Sequence, residues 1–212
     1  MSKLAIIGTA GRGDDGKRLA ADPERYRTRM LDAARKVAEL THATTLVSGA
    51  AAWADHIAID LFLEPPTEYA LELELPAPLE PDDAGGYRFL DKGTRDFKSN
   101  PGGVSNHYHR LFKDAFAKTG TLWSPFLDFA AIHRTAMEPS AVTFCVGAGF
   151  LERNLVVAAK ADCCLAMTFG NGAQLKDGGT AHTMKAFLAK PNHGQAFHLD
   201  LNTLTLYKGA RV

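Results

Sequence analysis

The chain has 212 residues, 46 % of them hydrophobic, enough for the core of one sizeable domain and too apolar for wholesale disorder. Its 24 basic and 24 acidic residues cancel. That removes the broad positive field of a non-specific nucleic-acid binder, argues against a nucleic-acid partner, and leaves room for a local basic pocket. No apolar run is as long as a membrane span, and three cysteines (Cys145, Cys163, Cys164) without a signal peptide set the expected location as the reducing cytoplasm, with no membrane partner.

Residues 3–8, KLAIIG, form an apolar run closed by glycine and predict a first buried strand. A polar loop is expected over 9–22. Asp22 before Pro23 is a helix N-cap followed by proline at the first helical position, so a helix is predicted over 23–40. Tyr26, Met30, Leu31, Ala34, Val37 and Ala38 share its inner face. Residues 44–49 predict a second strand and 51–63 a second helix. Residues 67–75 predict a third strand, its apolar residues alternating with Glu68, Glu72 and Glu74. Such alternation of strands and helices implies an α/β fold with a doubly wound, mostly parallel sheet and helices on both faces.

Residues 76–148 read as an irregular central insertion, with Pro76, Pro78, Pro81 and Pro101, a helix over 106–119 and weak signals from 120 to 148. Its aromatics (Phe89, Phe97, Tyr108, Phe112, Phe116, Trp123, Phe126 and Phe129) suit a small satellite core, with a lid or a dimer surface as alternatives. Beyond it come a helix at 149–161, a strand at 163–170, a glycine-rich loop and a helix at 180–190. Two final strands flank a turn at Asn202. Neighbours on a strand point to opposite faces, which argues against a Cys163–Cys164 disulfide. The whole chain, 1–212, is expected to be one domain.

In an open α/β sheet, ligands bind at the carboxyl ends of the strands. Three loops leave strands and enter helices there: Gly8 to Arg12, Ser48 to Ala52, and Gly170 to Thr180. Small residues expose backbone N–H groups, and helix starts attract anions. The plain alternative is that tight turns favour small residues. No P-loop and no strict G-x-G-x-x-G follows the first strand.

SGAAAWADHIA (48–58) resembles the S-G-x-A-x-G-x-D-x-x-A stretch of the SLOG superfamily of Rossmann-like proteins, which includes the Lonely Guy phosphoribohydrolases and DNA-processing protein A. ERNLVVAAKADCCLAMTFG (152–170), GGTAHTMKA (178–186) and IIGTAGR (6–12) resemble further stretches of that group, in the same order. The resemblance implies a Rossmann-like fold holding a nucleotide-like ligand. Its phosphate would lie near Gly178, Gly179, Thr180 and Thr183. Its base or ribose would approach Gly8, Thr9, Ser48, Gly49 and Ala50, with Arg153 and Asn154 flanking the pocket and Arg12 in the first loop. The phosphoribohydrolases carry a glutamate where this chain has Thr183, and a glycine where it has Trp53, whose indole is placed to stack on a base.

N-glycosidic hydrolysis needs a carboxylate beside the anomeric carbon. Asp55 and Glu152 are the candidates; the alternatives are a helix-start charge for Asp55 and a surface ion pair for Glu152. His182 in the phosphate loop would strengthen anion binding when charged, or face solvent. His107, His109 and His133 lack the company of a metal motif, and no metal or other cofactor is expected. The expected function is binding of a nucleotide or nucleotide-derived small molecule, with hydrolysis of a nucleoside 5′-monophosphate as its enzymatic form. A non-catalytic nucleotide sensor or sponge is the alternative. A homodimer or higher homo-oligomer is the expected assembly.

Overall fold

The computed structural model describes residues 2–65, 69–94, 96, 98–135, 141–147 and 149–212. The first apolar run forms β1 (Ser2–Gly8), which sits inside a seven-stranded sheet. Its side chains alternate, so Leu4 and Ile6 enter one hydrophobic cluster while Ala5 and Ile7 enter another on the opposite face.

Residues 14–21, expected as loop, form a short helix, α1 (Asp14–Ala21). Its first turn carries Asp14 and Asp15 and its last turn Arg18, each complementing the helix dipole. Next comes α2 (Pro23–Thr41), capped as expected: the Asp22 carboxylate accepts the Arg25 N–H at 3.4 Å. β2 (Ala43–Ser48) follows. The second helix, α3 (Ile57–Leu63), starts six residues later than the sequence suggests. Ala50 and Trp53 take left-handed backbone angles, φ 53° and 62°, so the chain turns through 50–56 before it can wind a helix. β3 (Ala70–Leu75) is the third strand; residues 67 and 68 of its predicted span lie outside the described residues.

The central segment is more ordered than expected. β4 (Leu79–Pro81) and β5 (Tyr87–Phe89) pair as an antiparallel hairpin. α4 (Pro101–Ala117) begins five residues before the predicted helix, because the Asn100 side chain accepts the Gly103 N–H at 3.0 Å and Pro101 opens the first turn. α5 (Pro125–Thr135) follows. β6 (Val142–Val146), inside the stretch assigned to the insertion, instead joins the main sheet beside β3. The chain ends with α6 (Phe150–Lys160), β7 (Cys163–Thr168), α7 (Gly179–Leu188), β8 (Ala196–Asp200) and β9 (Thr205–Lys208).

The sheet order is β6-β3-β2-β1-β7-β8-β9, parallel throughout except for the β8/β9 pair. The chain builds outward from β1 through β2, β3 and β6, then crosses back to lay β7 on β1's other side. This is a Rossmann-like doubly wound sheet, and its order reverses between β1 and β7, where such sheets open a crevice. Helices α6 and α7 cover one face with Val157, Ala158, Met184 and Phe187. The other face is covered from α2 and α3 and extended by α4 and α5, whose Phe112, Phe116, Phe129 and Ile132 join the same cluster. Most of the insertion's aromatics thus join the main core instead of the separate satellite core expected, with Phe97 outside the described residues. Cys163 and Cys164 fall in opposite clusters, and all three cysteines are free thiols. Among the described residues, no helix is long and apolar enough to cross a membrane.

Candidate functional site

A cleft of ≈ 320 Å³ opens over the ends of β1 and β7. That volume suits a compact small molecule, near the lower end of the roughly 300–1,000 Å³ range of ligand pockets. Five segments build it: the β1–α1 loop (Gly8, Thr9, Ala10, Arg12), the β2–α3 turn (Gly49, Ala51, Ala52, Asp55), the start of α6, the β7–α7 loop and, from the insertion, Ser105 and Tyr108 of α4.

The cleft is rich in donors. Helices α6 and α7 start at Gly149 and Gly178, and neither start has a side-chain cap. The first N–H groups of a helix have no intrahelical acceptor, and Phe150, Leu151, Gly179 and Thr180 border the cleft; beside them the Gly178 N–H already donates to Asp177 Oδ1 at 2.8 Å. The Thr183 hydroxyl donates back to the Gly179 carbonyl at 2.9 Å and steadies the first turn of α7.

A buried polar network supports this surface. Arg153 donates from Nη1 to the Gly49 carbonyl and from Nε and Nη2 to Asn154 Oδ1, at 3.1 and 2.8 Å. With its Oδ1 so fixed, Asn154 turns Nδ2 toward Gly179, 3.7 Å from where a Cβ there would sit. Asp55 accepts the Gly8 N–H at 2.9 Å and faces Arg153 Nη1 at 3.5 Å. Burial pushes the Asp55 carboxyl up, against the opposing pull of Arg153 and of the Gly8 and Ala51 N–H groups; burial pushes Arg153 down. A Cβ at Gly49 would lie 2.2 Å from the Arg153 guanidinium, so a larger residue there would push Arg153 out of its network.

Cations and carboxylates balance around the opening. Lys176 Nζ meets Asp15 Oδ1 at 2.7 Å, and the Thr9 hydroxyl donates to Asp15 Oδ2 at 3.1 Å. The Arg12 guanidinium lies 5.3 Å from the Tyr108 ring centre and 5.6 Å from that of Phe150, a cationic and aromatic side to the cleft.

Gly8, Thr9, Arg12, Gly49, Asp55, Arg153, Asn154, Gly178, Gly179, Thr180 and Thr183 are brought together here. The other expected residues are not among those that line the cleft. Trp53 is 2 % exposed and packs on Phe112 at 4.4 Å and Phe116 at 6.0 Å, so its left-handed turn sends the indole into the core and not toward a base. Ala50 is fully buried in the same cluster. Ser48 is buried too; its hydroxyl donates to the Asp55 carbonyl at 2.7 Å and accepts the Ala50 N–H, so it holds the turn. Glu152 and His182 are exposed and are not among the residues that line the cleft.

Asp15, Lys176, Phe150, Ser105 and Tyr108 also line the cleft and were not among the expected site residues, Tyr108 being read only as one of the insertion's aromatics. Asp15 sits on an unpredicted helix, and Ser105 and Tyr108 reach the cleft from some 50 residues beyond the nearest strand loop. Their only signal was position: Lys176 lies in the glycine-rich loop and Phe150 opens a helix. Away from the cleft, His56, Asp60 and Asp128 place ligand atoms within 4.8 Å of one another, as a metal site would. Arg27 pairs with Asp60 at 2.8 Å and His56 Nε2 donates to Asp128 at 3.1 Å.

No family model and no solved structure matches the chain. It is similar to "Uncharacterized protein R261" of Acanthamoeba polyphaga mimivirus, 28 % identical over 204 residues that span 94 % of this chain and 96 % of the viral one.

Proposed function

We propose that the cleft binds a phosphorylated, nucleotide-like small molecule, in the manner that the SLOG resemblance implies. The phosphate lies over Gly178, Gly179 and Thr180 at the start of α7, within reach of Asn154 Nδ2 and Lys176. The sugar lies over Gly8 and Thr9, and the base rests against Tyr108 and Phe150. The supporting observation is that two helix starts without side-chain caps converge on one crevice beside Arg153 and Lys176. Calorimetric titration with nucleoside 5′-monophosphates and the matching nucleosides tests it. The monophosphate of the preferred base is expected to bind at least tenfold tighter, about 1.4 kcal/mol. Equal binding of the two, or binding of neither, overturns the proposal.

A second form adds hydrolysis of the N-glycosidic bond. In its favour, Asp55 borders the cleft with a carboxyl that burial pushes up, the property of a group that gives or shares a proton. Against it, Asp55 is already engaged by Gly8 and Arg153, and Asp15 by Thr9 and Lys176. Pure binding, as in a sensor or sponge, therefore fits better. Chromatography of the same mixtures decides: free base accumulating with time makes the protein an enzyme.

A further inference from the structure

The geometry points to Asp15 as the group that reads a hydroxyl of the ligand's sugar, which makes the ligand class a phosphorylated compound with free ribose hydroxyls; this rests on the phosphate placement proposed above. Asp15 borders the cleft with a side chain only 11 % exposed. A carboxylate beside an anion-binding helix start repels the anion unless something separates their roles. Its two oxygens offer about four acceptor positions. Lys176 and Thr9 occupy two of them. The others can only accept, so the part of the ligand that faces Asp15 is a hydrogen-bond donor.

Both neighbours are set to leave those positions to the ligand. The Thr9 hydroxyl spends its proton on Asp15 while its oxygen accepts the Gly11 N–H at 3.2 Å, so it offers the ligand no donor. Lys176 is held by its backbone N–H on Thr168 Oγ1 at 3.2 Å, two residues before Gly178. Its ammonium has three donors, of which Asp15 takes one. It can therefore stay on Asp15 and reach a phosphate at the start of α7 together. A pentose 5-phosphate unit carries both on one small molecule: a phosphate for one end of this lysine and neutral hydroxyl donors for the other. A dideoxy sugar has nothing to give Asp15 and leaves its remaining positions dry and unfilled.

The test compares ribo-, 2′-deoxy- and 2′,3′-dideoxynucleoside monophosphates of the base that binds tightest, with inorganic phosphate as a fourth ligand. The unmodified protein is expected to prefer the ribo form over the dideoxy form by roughly ten- to a hundredfold, the value of a hydrogen bond to a charged group. Asp15→Asn is expected to shrink that ratio to about threefold or less, while inorganic phosphate, relieved of a nearby carboxylate, binds no more weakly than before. Asp15→Ser, a residue suited to a helix start, removes the carboxylate a second way if the first variant does not fold. Lys176→Gln is expected to weaken all four ligands together. Equal binding of the ribo and dideoxy forms, or a full preference retained in the Asp15 variants, overturns the assignment and leaves phosphate recognition standing. Failure of every phosphorylated ligand to bind overturns both.

Discussion

Asp55 and His56 are neighbours in sequence, but they enter two regions that treat buried polar atoms in opposite ways. Asp55 faces the cleft, where Asp55, Arg153, Asn154 and Asp15 share a network of backbone and side-chain partners. His56 faces the rings of Phe112, Trp123 and Phe129, each 5.6–5.7 Å away, with His109 at 5.9 Å. Here two ring nitrogens, His56 Nδ1 and His109 Nε2, are buried with no partner among the described residues. His56 Nε2 donates to a carboxylate and His109 Nδ1 to the Ser105 carbonyl at 2.8 Å, so on the neutral His109 ring the orphan Nε2 is a bare acceptor. The cleft spends its buried polarity on holding a donor-rich surface open to a ligand. The cluster leaves two ring nitrogens unmet, packed among aromatic rings. A ligand should therefore act on the first region, and acid or lost volume on the second.

The largest break in that contrast comes from Trp53, which belongs to the cluster although its sequence neighbours belong to the cleft. Trp53→Ala is expected to destabilise the protein by about 3–5 kcal/mol, the cost of emptying a large buried aromatic site. Urea unfolding measures this directly. A variant with unchanged stability and lost nucleotide affinity would return the indole to the ligand.

Acid comes next. Burial holds His109 neutral by lowering its pKa from 6.5 to about 3, with His56 adding to the effect. Between those values the unfolded chain binds a proton that the native state refuses. Stability from this group is thus full above pH 6.5 and falls by about 1.4 kcal/mol per unit as pH drops. Unfolding at pH 4.5 is expected to need roughly 2–3 kcal/mol less than at pH 7 on this account alone. His109→Phe keeps a ring beside Phe89 and Phe129 and removes the titration, so the difference between the two pH values should shrink by that amount. An identical pH dependence in the variant would mean that another group dominates acid unfolding.

On the cleft side, Thr180→Val tests the phosphate placement. The side chain borders the cleft on the second residue of α7. Its loss is expected to weaken a nucleoside monophosphate by roughly 1–3 kcal/mol and the matching nucleoside far less. Equal losses for both ligands would take Thr180 off the phosphate.

The same two regions explain what could be read from the residues alone. β1, β2 and β7 are short apolar runs, and α2 has a cap and a clean inner face, so periodicity finds them. α1 buries little beyond Leu19 and reads as a polar loop, while β6 is a five-residue edge strand that only its pairing with β3 defines. Glycines around the cleft were legible because backbone approach demands small residues wherever it occurs. Their reason is partly different from the expected one: Gly49 makes room for Arg153, and Ala50, Ala52 and Ala54 are small because the turn itself is buried. Nothing local marks Trp53 for the inside, because left-handed angles at alanine and tryptophan follow from tertiary packing. Tyr108 and Asp15 depend on where the insertion and an unpredicted helix come to rest.

The smallest effect is the sharpest check on which side of α6 faces the ligand. Successive residues on a helix are about 100° apart, so Glu152 and Arg153 look in different directions. Arg153 turns inward to Gly49, Asn154 and Asp55 and is 7 % exposed. Glu152 is exposed, off the lining of the cleft, and near Gly147, where an added Cβ would lie 3.6 Å from its Oε2. Glu152→Gln keeps the shape and removes one surface charge near the start of α6. Such a change away from core and ligand is expected to alter stability by no more than about 0.5 kcal/mol and ligand affinity by about twofold or less. Any base release by the unmodified protein should persist in the variant. Arg153→Gln, one residue on, should instead free Asn154 and leave Asp55 without its cation, at a cost of about 3–5 kcal/mol for breaking a buried pair. If the two variants changed places in these measurements, α6 would present its other face to the ligand, and Glu152 would regain its claim as the carboxylate beside the sugar.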